Sequence, residues 1–163
     1  MAVSMFLEIK GVTGEAQNKD FKSKNAIDIF SYSLGASNPS SVGTGAGSGA
    51  GKVSISSLSI QKAVDKATPD LFLHCCQGTH FDKAVLTVRE AGGTSPVDYV
   101  VMEFDQVFVD SVSWGAASGG DKPSESVSFS FGKIKFTYSM QDEKGKGSKA
   151  GEAGWDIGGG HKL

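Results

Sequence analysis

The chain has 163 residues, enough for one domain with a real core, and its 10 Phe and 2 Trp offset a modest apolar share of 39%. A net charge of −2 gives no global reason to expect nucleic acid or an anionic membrane as partner. No apolar run approaches the ~20 residues that cross a bilayer as a helix, and the 22 Gly point to many turns and bulges plus one low-complexity loop.

The N-terminus, MAVSMFLEIKGV, has no basic start, no long apolar centre and no cleavage site. It reads as a first strand from Val3 to Val12, closed by the turn Thr13-Gly14, and not as a signal peptide. Residues 15–25 are polar and read as a surface loop. Ala26 to Leu34 reads as a second strand, with Phe30, Tyr32 and Leu34 on one face and Ser31 and Ser33 on the other; Gly35 ends it. Residues 36–51, rich in Gly and Ser, cannot pack a core and read as a mobile loop. In the strand pair from Val53 to Ile60, Val53 and Ile55 are in phase while Leu58 and Ile60 are shifted by one, so a bulge or bend is expected near Ser56-Ser57.

One helix is legible. Thr68 suits the N-cap, Pro69 the first helical position and Asp70 the positive end of the helix dipole. Leu71, Phe72, Cys75 and Cys76 make one apolar stripe, and Gly78 stops the helix. The cysteines are helix neighbours pointing about 100° apart, which disfavours a mutual disulfide and suggests reduced thiols and folding in the cytosol. A strand follows, with Ala84, Leu86 and Val88 alternating, ended by Gly92-Gly93.

Val97 to Trp114 is too long for one flat strand: at ~3.3 Å per residue it would span about 60 Å, so it should bend, most simply near Asp105-Gln106. Its first part is apolar on both faces (Val97, Tyr99 and Val101; Val100, Met102 and Phe104) and needs a helix, a second sheet or a neighbouring subunit as cover. After the loop 115–125, Val127, Phe129 and Phe131 alternate with Ser126, Ser128 and Ser130. The phase flips at Gly132, a bulge signature, to Ile134, Phe136 and Tyr138. The tail, 141–163, reads as flexible apart from the apolar island Gly154-Trp155-Asp156-Ile157. The sum is a single, mainly β domain over residues 1–163, a barrel or sandwich with one helix.

Signals of chemistry are weak. Ala46 to Lys52 nearly fits a P-loop, but Val53 stands where Ser or Thr should hold magnesium, and a strand follows where a helix is required. Gly45, Gly47 and Ala50 match a dinucleotide spacing with equally little context. His74, Cys75, Cys76 and His80 lack a second Cys pair and lie on different helical faces or beyond Gly78, so packed cysteines explain them better than zinc or a thiol nucleophile. Asp98, Glu103, Asp105 and Asp110 read as solvated strand residues. No Ser/His/Asp spacing favours a triad. The serine rows opposite the aromatic rows read as solvent-facing, or as a neutral wall along a channel.

Met5-Phe6-Leu7, Gly11-Val12-Thr13-Gly14-Glu15 and Ile27-Asp28-Ile29-Phe30-Ser31-Tyr32-Ser33-Leu34-Gly35 resemble the hemolysin-coregulated proteins (Hcp) of bacterial type VI secretion. So do, in the same order, Thr68-Pro69-Asp70-Leu71, Gly78-Thr79-His80, Ala91-Gly92-Gly93, Glu125-Ser126-Val127 and Gly154-Trp155-Asp156-Ile157. The resemblance implies a split β-barrel of two sheets with one short α-helix packed against it. It also implies homohexameric rings that stack into the tube expelled by a contractile sheath, with the spike (a valine-glycine repeat protein) and baseplate as partners and small effectors carried in the lumen. No catalytic residue, cofactor, nucleic acid or membrane insertion is implied, and the protein would leave the bacterial cytoplasm through the type VI apparatus. Some members carry enzymatic C-terminal extensions; with the chain stopping after His161-Lys162-Leu163, none is expected here.

On this resemblance Ser31 and Ser33 face the lumen and its effectors. The loop from Ser37 to Lys52, with Gly45, Gly47, Gly49 and Lys52, and the Trp155–Ile157 island make ring-to-ring or subunit contacts. The alternative from a different class is a monomeric β-barrel that binds a ligand in its interior.

Overall fold

The computed structural model describes residues 2–39, 51–90 and 96–163. Gly45, Gly47 and Gly49, and the segment Ala91-Gly92-Gly93, lie outside the described residues. The elements in chain order are β1 (Val3–Ile9), α1 (Lys19–Lys22), β2 (Ile27–Ile29), β3 (Ser31–Ser33), β4 (Ala36–Ser37), β5 (Ser54–Ile55), β6 (Leu58–Ala63), α2 (Thr68–Gln77), β7 (His80–Glu90), β8 (Asp98–Gly115), β9 (Ser124–Gln141), β10 (Gly147–Asp156) and β11 (His161–Lys162).

The protein is mainly β, and every described pairing is antiparallel. Nine strands form one sheet, whose main path is β11-β10-β9-β8-β7-β1-β2. The N-terminal half of β9 also pairs with β6, and β6 with β3. Because β3 follows β2 directly in the chain, the sheet bends back on itself through a covalent corner at Phe30 and not through a closing ladder. The expected single strand 26–34 is therefore two. Phe30, which alternation places with Tyr32 and Leu34 on the covered face, is 64% exposed at that corner, its N–H donating to the Gln61 carbonyl at 2.7 Å. The break expected at Ser56-Ser57 is present and separates β6, in the large sheet, from β5, which joins β4 in a two-stranded ribbon.

The core lines the inside of this curve. Leu7, Leu86, Met102 and Phe104 from one half meet Leu58, Ile60, Val127 and Phe129 from the other, all at 1% exposure or less. The long strand β8 bends where its length demands. Gln106 takes φ 54 and stands level with Gly132, between the pairs Asp105–Lys133 and Val107–Phe131. Each strand thus carries one extra residue at the same level. The inward parity switches from Met102 and Phe104 to Val107 and Val109 on β8, and from Ile134 to Phe131 on β9, while the register is kept. Gly132 is accordingly one half of a matched corner, not an isolated bulge; a Cβ there would lie 2.9 Å from the Gln106 Oε1.

Three segments differ from the sequence expectation. Residues 15–25 contain α1, whose Asn18 cap accepts from the Asp20 N–H. Phe21 of α1 is buried and stacks on Phe6 at 4.1 Å, because a lone Phe in a polar run can satisfy itself only by folding back onto the sheet. This excursion, pinned by Arg89 to Asp20 and Asp98 at 2.6 Å each, covers the outer face over Phe6 and Thr87. Part of the second apolar face is thus covered from within the chain. In α2 the cap is Ala67, while the Thr68 side chain is spent on buried Glu125 at 2.6 Å. Only Leu71 of the expected stripe is buried; Cys75 is half-buried, Cys76 is exposed, and Phe72, 49% exposed, meets Trp114 edge-on at 5.7 Å. Finally, the tail is not outside the sheet: β10 pairs with β9 from Gln141 to Lys133, around an irregularity at Ala150.

Candidate functional site: a serine-lined sheet face

Across the second half of the sheet, register converts local alternation into a surface. Ser31 pairs with Gln61, Gln61 with Ser126 and Ser126 with Ser113. One row along, Ser33 pairs with Ser59, Ser59 with Ser128 and Ser128 with Ser111. Directly opposed residues project to the same side, so two rows of small neutral polar groups run over β3, β6, β9 and β8. Their strand neighbours Ile60, Val127 and Phe129 point the other way into the core.

The hydroxyls and amide partly satisfy one another. Ser59 and Ser128 lie 3.2 Å apart at Oγ, and the Ser126 Oγ donates to the Gln61 Oε1 at 2.8 Å. Such groups can both donate and accept, so these two rows offer weak, reversible contacts. The outer side of the other half of the sheet is opposite in character: there Lys83, Glu103, Lys135, Glu152 and Lys149 form a cross-strand ladder of alternating charge. Within it the neighbouring lysines hold the Glu152 carboxyl below its ordinary range, and Glu152 raises Lys135.

The structure places Ser31 and Ser33, both exposed, on this face together with Ser126 and Ser128. Sequence reading missed Ser59, Gln61, Ser111 and Ser113. The signal was there in the alternation Ser111-Val112-Ser113-Trp114, but which strands lie side by side is not a local property. Lys52 and the pair Trp155 and Ile157, more than a hundred residues further along the chain, also come together. With Asn38 and Val53 they line one open cleft beside the ribbon β4–β5. The Trp155 Nε1 is buried there with no partner among the described residues. His74 stacks on Phe81 at 3.9 Å with its Nδ1 2.9 Å from the Asp70 carbonyl, away from His80 on β7. Among the described residues no group of three or more His, Cys, Asp or Glu side chains is placed to hold a metal.

A second surface is chemically distinct. On the inward side of the β9–β10 hairpin, Phe136 and Tyr138 sit level with Met102 and Val100 of the core face, yet they are 43% and 44% exposed, and Met140 beyond them 52%. They face only small residues on β10, Ala153 and Gly151. The apolar inner face runs out past its own cover.

The family model described as "Type VI secretion system effector, Hcp" matches residues 6–138. Protein hcp1 of Pseudomonas aeruginosa is 39% identical over 160 residues, covering 96% of both chains. A structure described as a type six secretion system protein superposes with a TM-score of 0.91 at 27% identity, over 99% of this chain and 100% of the other. Hcp1 from Salmonella typhimurium superposes with a TM-score of 0.80 at 29% identity, over the whole of both chains.

Proposed function

This chain belongs to the Hcp family of type VI secretion proteins, and from that premise we propose that six copies close into a ring, that rings stack into the expelled tube, and that the serine face lines the lumen and holds small effectors. The observation that carries the reading is the unfinished apolar row Phe136, Tyr138 and Met140. A contiguous apolar surface that continues a core face is what a neighbouring subunit would cover. In a closed ring the contact is head-to-tail, so this row meets a different surface of the next copy. Size-exclusion chromatography with light scattering tests it: about six times the 17.0 kDa chain mass is expected, and one chain mass would overturn it. The interior of the curve is filled by Leu7, Leu86, Phe104 and Phe129, which supports packing and not an internal ligand.

On the same reading a neutral, weakly binding wall suits a cargo that must be carried and then released. Replacing Ser33 with Gln pushes a long amide out over the Ser59–Ser128 row. Retained effector should fall by about tenfold, as a steric cost of ~1.4 kcal/mol implies, with ring mass unchanged; undiminished co-purification of cargo would count against the assignment.

The ribbon β4–β5 holds the two ends of the loop together, with Gly51 so close to Pro39 that a Cβ would sit 2.4 Å from its carbonyl oxygen. We assign ring stacking to this loop and to the cleft of Lys52, Trp155 and Ile157. Deleting residues 43–50 while keeping Gly51 should shorten or abolish tubes in electron micrographs while single rings persist. Tubes of normal length would remove the loop from the stacking contact. The spike, baseplate and sheath complete the proposed partners, and export through the apparatus is the proposed route out of the cell.

A further inference from the structure

The serine face carries one charge, and the fold takes trouble to put it there. Between the pairs Val109–Phe129 and Ser111–Ser128 the register of β8 slips by one residue, and that residue is Asp110. Val109 points into the core, so the slip turns both Asp110 and Ser111 to the serine side. The Asp110 carboxylate is then fixed by two hydroxyls, one from β9 and one from the break between β5 and β6. The Ser130 Oγ donates to Oδ1 at 2.7 Å and the Ser57 Oγ to Oδ2 at 2.9 Å. Its backbone carbonyl accepts from the Cys75 Sγ on the other side, at 3.9 Å.

Asp110 is exposed and joins no ion pair among the described residues. A carboxylate has about four lone-pair directions, so after two hydroxyl donors each oxygen can still accept from a cation. A carboxylate held rigid by neutral donors, within a wall that is otherwise uncharged, is complementary to a guanidinium or an ammonium. We propose that Asp110 is the contact by which this face selects its cargo, receiving an Arg or Lys from the surface of the carried protein. The proposal rests on the reading that the serine face meets cargo, and it adds the chemistry of what is preferred: a basic patch set among neutral polar contacts. In a ring the carboxylate is repeated once per subunit, so several weak contacts act together.

The test uses the whole protein and a fluorescent hexa-arginine peptide, with binding read by anisotropy over a range of salt. Asp110→Asn keeps the shape and should weaken binding at least about threefold, the scale of one exposed ion pair, and flatten its salt dependence. Asp110→Glu should retain most of the affinity. Asp82→Asn, which removes a 73% exposed carboxylate elsewhere, should leave it unchanged. Equal affinity and salt slope for wild type and Asp110→Asn would overturn the proposal, as would an equal loss in Asp82→Asn. Light scattering on the same samples reports ring formation separately. Because Asp110, Ser57 and Ser130 belong to one chain, the comparison is decisive whether or not the ring forms.

Discussion

Replacing Tyr138 with Asp is expected to leave single folded chains in place of the proposed six-chain ring. Tyr138 lies in register with Val100 on the inner face of the sheet and is already 44% exposed in the isolated chain. A charge at that position therefore stays in water while the chain is alone, and the fold loses little. At a subunit contact the same carboxylate would be stripped of water among Phe136 and Met140 without a partner, and truncating or charging a central aromatic anchor costs 2 kcal/mol or more per interface (a typical magnitude, about 2–4). The proposed closed ring would repeat the loss at every contact, so the particle would fail as a whole. Light scattering should give about 17.0 kDa, with far-ultraviolet circular dichroism unchanged. Persistence of the ring mass would move the subunit contact away from the β9–β10 hairpin.

The second large effect is on the fold itself. Lys62 and Glu125 are both fully buried and directly opposed on β6 and β9, with Nζ 2.7 Å from Oε2. Lys62 donates to Glu125 and, at 3.3 Å, to the Thr68 Oγ1, and it forms a second ion pair with Asp65 Oδ1 at 2.9 Å. The Thr68 hydroxyl donates to the Glu125 Oε2 at 2.6 Å and accepts from the Asp65 N–H. The group thereby ties the start of α2 to two strands. The Glu125 Oε1 has no partner among the described residues, so the carboxylate depends on Lys62 for most of its compensation.

Lys62→Met should therefore cost about 3–5 kcal/mol, the scale for a buried pair that loses one member. The reason is that it leaves Glu125 and Asp65 facing each other without a cation. Lys62→Met combined with Glu125→Leu removes the orphaned charge and should recover most of that loss. Urea denaturation at fixed chain concentration measures both, since assembly would otherwise add to apparent stability. A single variant that loses no more than a surface substitution, or a double variant as weak as the two singles summed, would show that the ion pair is not what holds this corner.

Much of the local architecture was legible because it is local. Alternation in Val127-Ser128-Phe129-Ser130-Phe131 marks a strand with one wet face whatever it pairs with. Gly78 takes φ 67 and ends α2 as its lack of a Cβ allows. The excessive length of Val97–Trp114 demanded the bend found at Gln106. The helix stripe misled because an apolar face requires a partner, and only Leu71 finds one deep enough; Phe72 and Leu73 remain about half exposed. The polar run 15–25 and the glycine-rich tail misled for the converse reason. A single Phe21, or backbone hydrogen bonds to β9, suffices to order a segment that composition would leave in solvent.

What the order of residues determines here is which side of each strand is wet, where the chain must turn, and, through motifs spread along nearly its whole length, the Hcp family. What only the tertiary structure decides is adjacency. Ser31, Gln61, Ser126 and Ser113 become one row, Asp110 enters that face, and Lys62 meets Glu125, because antiparallel ladders bring together residues that lie far apart in the chain, such as Gln61 and Ser126. A shift of one residue in any of those ladders would leave every local pattern intact and turn the hydroxyls into the core. Register is set by the whole core packing at once, and that is why no stretch of the chain read alone contains it.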